Sequence, residues 1–93
     1  MALLDLMGRR WSLRIVWELR NGPMTSRELR TACDEASPTV MQKRLDELRD
    51  AGLVDLMAGS GYRLTSLGAA LIEAVQPLSS FADRWSKRQA DRA

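Results

Sequence analysis

The stretch from Ser37 to Leu53, Ser-Pro-Thr-Val-Met-Gln-Lys-Arg-Leu-Asp-Glu-Leu-Arg-Asp-Ala-Gly-Leu, constrains this chain more than any other. Ser37 is a good N-cap, and Pro38 suits the first helical position, where its missing N–H has no partner to lose. Gly52 supplies the left-handed residue that ends a helix. Punctuation at both ends predicts a helix from Pro38 to about Asp50. At about 100° per residue, Val40, Met41, Leu45 and Leu48 share one side, and Thr39, Gln42, Lys43 and Asp46 point away from them. An outer face that opens with Thr, Gln and Lys has hydrogen-bonding groups without apolar bulk, as the reading end of a helix in a DNA major groove requires. Asp46, Glu47 and Asp50 occupy the C-terminal half, where approach to phosphate is unfavourable. Such a helix meets DNA by its N-terminal end.

Upstream, Ala2 to Met7 reads as a short helical lead-in ending at Gly8. Trp11, Ile15, Val16 and Leu19 then recur at helical spacing, flanked by Arg9, Arg10, Arg14 and Arg20, which predicts a helix from about Arg10 to Arg20 stopped by Asn21-Gly22-Pro23. Met24 begins a very short extended piece. Thr25 with Glu28 three residues on forms a capping box for a second helix from Ser26 to about Cys33, with Leu29 and Ala32 facing inward. Two short helices joined by Asp34-Glu35-Ala36 make a helix-turn-helix candidate. Downstream, Leu53, Val54, Leu56 and Met57 lead into Gly59-Ser60-Gly61, and Tyr62, Arg63 and Leu64 return, a modest hairpin that reads as a wing. Thr65 caps a last helix whose stripe is Leu67, Leu71, Val75, Leu78, Ala82 and Trp85, widened by Ile72, Ala74 and Phe81. Pro77 falls inside it and predicts a kink or break near Val75 to Leu78. The polar tail from Arg88 onward is expected to fray. The fold class is therefore mainly α with a small β-hairpin.

Composition removes most other functions. With 93 residues the chain makes one domain, 1–93, that can bury only roughly 60% of its unfolded surface. An apolar fraction of 45% with three Trp is generous for that size and points to a second subunit. There is no His, hence neither the commonest general base nor the commonest metal ligand, and a single Cys leaves no soft-ligand cluster for zinc. With no nucleophile elbow and no Gly-rich phosphate cradle either, no catalytic, cofactor or metal site is expected. No stretch approaches the eighteen or more apolar residues of a membrane span, and one Cys without an export signal fits a reducing cytosol, so a cytoplasmic protein is expected. The net charge of +2 neither demands nor excludes nucleic acid.

Several short motifs, taken in order, resemble one family. They are Leu4-Asp5-Leu6-Met7-Gly8-Arg9-Arg10-Trp11-Ser12, Trp17-Glu18-Leu19, Gly22-Pro23, Glu28-Leu29, Ser37-Pro38, Arg44-Leu45, Glu47-Leu48, Ala51-Gly52-Leu53-Val54 and Tyr62-Arg63-Leu64-Thr65-Ser66-Leu67-Gly68. Between Leu4 and Trp85 their order and spacing are similar to those of the HxlR-type, MarR-like bacterial winged-helix transcription regulators. The resemblance implies a winged helix-turn-helix with a three-helix DNA-binding core over 10–64 and dimerisation helices over 1–9 and 66–87. It also implies a homodimer, joined through Leu3, Leu4, Leu71, Val75, Leu78, Phe81 and Trp85, on a palindromic operator. The recognition helix maps on Ser37–Asp50 and the wing on Asp55–Leu64. Three features depart from the family pattern. The hairpin lacks the longer, Pro-containing wing tip; Gly-Lys-Trp is replaced by Arg9-Arg10-Trp11, and an early aromatic of the second helix by Ser26; and the N-terminal sensor Cys of some members is missing.

The expected DNA ligands are Ser37, Thr39, Gln42, Lys43, Arg44, Arg27 and Arg63. Thr39, Gln42 and Lys43 are set for base edges or adjacent phosphates, against the plainer reading of a solvated helix face. Among the candidate phosphate ligands Arg27, Arg30, Arg44, Arg49 and Arg63, the hairpin residue Arg63 is favoured. From Thr25 to Asp50 five basic residues face six acidic ones, so only segregation by face makes this segment attract DNA. Cys33 is read as a small packing residue, with Arg30 the one basic partner at helical spacing. Trp11, Trp17 and Trp85 are read as core or dimer packing. The alternative to a DNA-binding regulator is a winged-helix protein-interaction and dimerisation module. A third reading adds a small-molecule effector in a hydrophobic pocket near the dimer helices.

Overall fold

In the computed structural model, which describes residues 2–92, helix α1 spans Ala2–Met7 and α2 spans Ser12–Glu18, prolonged by a 3-10 turn at Leu19–Asn21. Then follow α3 at Ser26–Ala32, α4 at Pro38–Asp50, strands β1 at Val54–Met57 and β2 at Gly61–Leu64, and α5 at Ser66–Arg92. Met1 and Ala93, the two ends of the expected domain, lie outside the described residues.

The caps work as their residue types dictate. Thr25 and Glu28 form the full capping box of α3, with Glu28 N–H donating to Thr25 Oγ1 at 3.1 Å and Thr25 N–H to Glu28 Oε1 at 2.9 Å. Ser37 Oγ accepts from Val40 N–H at 3.2 Å, and Pro38 opens α4. Gly52, at φ 78°, carries the chain out of α4 in the left-handed conformation open to glycine. Helix α2 begins two residues later than its periodicity predicts because Trp11 sits at φ 73°, which no α-helix contains. At the helix-turn-helix corner, Asp34 and Glu35 are both left-handed, at φ 54° and 59°. Hydrogen bonds hold this costly geometry: Glu35 N–H to the Arg30 carbonyl at 2.7 Å, and Arg30 Nε to the Ala36 carbonyl at 2.8 Å.

The hairpin pairs antiparallel, Val54 opposite Leu64 and Met57 opposite Gly61. Met24 adds a one-residue bridge to Tyr62, with hydrogen bonds of 3.0 and 2.7 Å, so the short extended piece before α3 ties the wing to the helical core. Ile15 and Val16 of α2, Leu19 of its 3-10 turn, Leu29 and Cys33 around α3, Met41, Leu45 and Leu48 of α4, Leu53, Val54, Tyr62 and Ile72 form one buried cluster. Cys33 is fully buried; burial pushes its thiol up, and this outweighs the lowering effect of the Arg14 guanidinium. The cation that bears on Cys33 thus comes from α2 and not from Arg30 on its own helix.

Helix α5 is anchored at its start and bare beyond. The Thr65 hydroxyl donates to the Gly52 carbonyl at 2.6 Å and accepts from Gly68 N–H at 3.0 Å. A Cβ on Gly68 would lie 2.2 Å from the Leu53 carbonyl oxygen, so only glycine allows this crossing. Ile72 is the last buried residue among the described ones, and every residue from Gln76 to Arg92 is exposed. Of the kink or break expected near Pro77, the break does not occur: the helix runs unbroken to Arg92, and the tail expected to fray from Arg88 is its last turn. Proline deprives the Glu73 carbonyl of its helical partner, but Glu73 and Pro77 are both exposed, which leaves that carbonyl open to solvent.

Gly68→Ala should destabilise the fold by about 3 kcal/mol, the upper range for overpacking, whereas Gly52→Ala, with open space around it, should cost only about 1 kcal/mol for its backbone conformation. Urea denaturation of the two variants checks the ranking. The native Cys33 thiol should react with an aromatic disulfide reagent at pH 8 at least about a hundredfold more slowly than the urea-unfolded chain, because attack requires opening of the core; equal rates would place the thiol at the surface.

Candidate nucleic-acid interface

Helix α4 lies on the core through Met41, Leu45 and Leu48, all buried, with Val40 half-buried at the edge. That seating turns Thr39, Gln42, Lys43 and Asp46 outward, and all four are exposed. Its N-terminal turn carries the positive end of the helix dipole, which suits a polyanion. Thr39 and the Lys43 ammonium have no side-chain hydrogen bond or ion pair among the described residues and are available to a ligand.

Gln42 is engaged. Its Nε2 donates to Asp46 Oδ1 at 2.9 Å, one turn along the helix, and makes a longer contact of 3.4 Å with the hydroxyl of Tyr62 on β2. Ser37 Oγ is committed to the Val40 amide, so what Ser37 offers beyond the helix is chiefly the geometry of the capped turn.

The arginines divide by environment. Arg27 is exposed on α3. Arg63 stands opposite Asp55 in the hairpin, the two charged groups 4.0 Å apart and each about half exposed, a separation at which an ion pair holds little. Arg44 is different. Its Nε donates to the Arg10 carbonyl at 2.9 Å and its Nη1 to Glu47 Oε1 at 2.9 Å, while Arg9 binds the other Glu47 oxygen. With 16% of its side chain exposed, Arg44 fastens α4 to the corner between α1 and α2 rather than standing beside Lys43. Glu47, Arg9 and Arg10 therefore belong to the apparatus that orients α4, a role periodicity does not reveal because the partners lie more than thirty residues apart. The Gln42–Asp46 pair, by contrast, is legible as an i, i+4 contact on a helix.

On the far side, Arg14 clamps α3, its Nη2 donating to the Ala32 carbonyl at 2.9 Å and its Nε to Glu18 at 2.8 Å. Between α2 and α5 runs an apolar groove of about 350 Å³ lined by Leu13, Trp17, Val75, Leu78 and Ala82. Leu3, Leu4, Leu67, Leu78, Phe81 and Trp85 are all exposed, and Leu71 and Val75 are half-buried.

Comparison with known proteins agrees with this geometry. The model of the HxlR-like helix-turn-helix family matches residues 6–90. The Bacillus subtilis protein YvaP, described as an uncharacterized HTH-type transcriptional regulator, is 32% identical over 88 residues, covering 88% of this chain and 82% of that protein. The structure of quinone-bound YodB from B. subtilis superposes with a TM-score of 0.81 at 29% identity, covering 89% of this chain and 92% of YodB. A possible HxlR family transcriptional factor from Thermoplasma volcanium superposes at 0.84 with 25% identity over 94% of this chain and 84% of that one. A helix-turn-helix whose second helix is polar outward, with a hairpin wing beside it and a matching family model over nearly its whole length, makes this chain a member of the HxlR-like helix-turn-helix family of DNA-binding transcriptional regulators.

Proposed function

We propose that the protein acts as a homodimer that binds a palindromic DNA site, one α4 helix in the major groove of each half-site. The observation that carries this reading is the outer N-terminal face of α4, where Thr39, Gln42 and Lys43 project from a helix held rigidly by its buried stripe. Thr39 and Gln42 face base edges, Lys43 a base edge or adjacent phosphate, and Arg27 and Arg63 reach the backbone on either side. Ser37 and Arg44 act indirectly, the first by capping α4 and the second by fixing its angle. Localisation in the cytoplasm, with the DNA, is part of the same proposal.

The dimer is supported by the bare half of α5. Leu78, Phe81 and Trp85 recur at helical spacing with every residue around them exposed, an apolar stripe that a lone chain leaves in water. Leu3 and Leu4 of α1 extend the apolar surface, and Leu71 and Val75 join the stripe to the core. Two copies joined here would present their α4 helices to half-sites about 34 to 36 Å apart, one turn of DNA. A small-molecule effector fits the same arrangement: YodB has been solved with quinone bound, and the groove between Trp17 and Leu78 opens beside the proposed subunit contact.

The experiment is a fluorescence-anisotropy titration with the DNA upstream of the protein's own gene at two salt concentrations. Lys43→Ala should weaken binding and reduce the slope of log K against log salt by about 1. Unchanged affinity and slope would remove Lys43 from the interface, and a stable dimer that ignores every duplex at low salt would favour the protein-interaction module instead.

A further inference from the structure

Asp46 is an odd neighbour for a DNA-reading surface. It is exposed on the outward side of α4, one turn from Gln42, and its charge opposes phosphate. We infer that Asp46 is a positioning residue that turns the Gln42 amide so that only its carbonyl oxygen faces the groove, making Gln42 a reader of exocyclic amino groups on adenine or cytosine. The inference rests on the reading of α4 as the DNA-contacting helix.

The chemistry is one of counting donors and acceptors. A carboxylate only accepts, so the amide edge it holds must be the nitrogen. Gln42 Nε2 has two protons. One goes to Asp46 Oδ1 at 2.9 Å, and the other side of the nitrogen meets the Tyr62 hydroxyl at 3.4 Å. Tyr62 is 6% exposed and is pinned by its backbone bridge to Met24, so this second contact comes from a fixed point of the wing. The Oε1 atom has no partner among the described residues. A free Gln pairs with adenine through two bonds, accepting from N6 and donating to N7. With Nε2 already engaged, the donating half is lost. What remains accepts from adenine N6 or cytosine N4 and meets only acceptors on guanine N7 and O6 or thymine O4. Asp46 thus broadens the choice at one base position from adenine alone to adenine or cytosine.

The test is selection of duplexes from a randomised pool by the full chain and by Gln42→Ala, Asp46→Ala and Asp46→Asn. Gln42→Ala identifies the position, which should lose its preference. At that position the wild type should accept adenine and cytosine within about twofold. Asp46→Ala should favour adenine over cytosine by at least about fivefold, the low end of what a base contact is worth. Asp46→Asn removes the charge but keeps an acceptor for Nε2; it should keep the wild-type ratio while binding all sequences more tightly. The Gln42 side-chain amide resonances of the free protein should move in Asp46→Ala and stay near their wild-type positions in Asp46→Asn, a readout that needs no DNA. Identical base ratios in wild type and Asp46→Ala overturn the inference, as does an Asp46→Asn profile equal to that of Asp46→Ala, which would assign the effect to charge. Failure of the wild type to select any duplex, with unchanged amide resonances in Asp46→Ala, would sink the DNA-reading role and this inference together; selection with unaltered ratios would sink only the inference.

Discussion

Everything the outer surface of this protein can do depends on how firmly α4 is seated. Met41, Leu45 and Leu48 enter one buried cluster with Ile15 and Val16 of α2 and Leu29 of α3, and burial of side chains of this size is worth about 2 kcal/mol each. Because those positions recur at three and four residues, their burial determines the rotation of the helix about its own axis. Thr39, Gln42 and Lys43 have no choice but to face out. A helix held only by polar contacts would lack such a defined roll, and a groove-reading surface needs its side chains placed to a fraction of an ångström.

Polar contacts add what packing leaves open, the tilt of α4 and the orientation of individual groups. Glu47 gathers Arg9 and Arg44, and Arg44 reaches on to the Arg10 carbonyl, so the far half of the helix is tied to the corner leaving α1. The near half is tied to the wing through Gln42 and Tyr62. The acidic residues of α4, which look like an obstacle to DNA binding when counted as charges, are in two cases structural partners: Glu47 of arginines and Asp46 of Gln42. Local pairing therefore matters more than the near balance of basic and acidic residues. The Arg9 and Arg10 bonds also give a change at the corner between α1 and α2 a direct physical route to α4.

The order and type of the elements were legible in the residues. Ser37-Pro38 and Gly52 bracketed α4 correctly, the Thr25–Glu28 box opened α3, Thr65 capped α5, and the glycines from 59 to 61 placed the turn of the hairpin. These are short-range effects, complete within a turn or a cap. Pro77 allowed either a kink or a break, and the break is absent: α5 continues as one helix, and the Glu73 carbonyl that loses its donor belongs to an exposed residue. Trp11 was misleading, since its helical spacing said nothing of the left-handed backbone it adopts at the corner before α2.

The sequence by itself determined which residues of α4 face inward and which face out, because that division follows from a 3.6-residue period and needs no knowledge of what lies beneath. Only the tertiary structure decided what the outward and bordering groups are free to do. Arg44 and Lys43 are adjacent basic residues on the same helix, yet one is bonded to a carbonyl 34 residues earlier in the chain and the other is open to solvent. Tyr62, Asp46 and Gln42 converge only when the wing folds back beside α4. Partners of this kind are chosen by long-range chain closure, and nothing in local spacing encodes them.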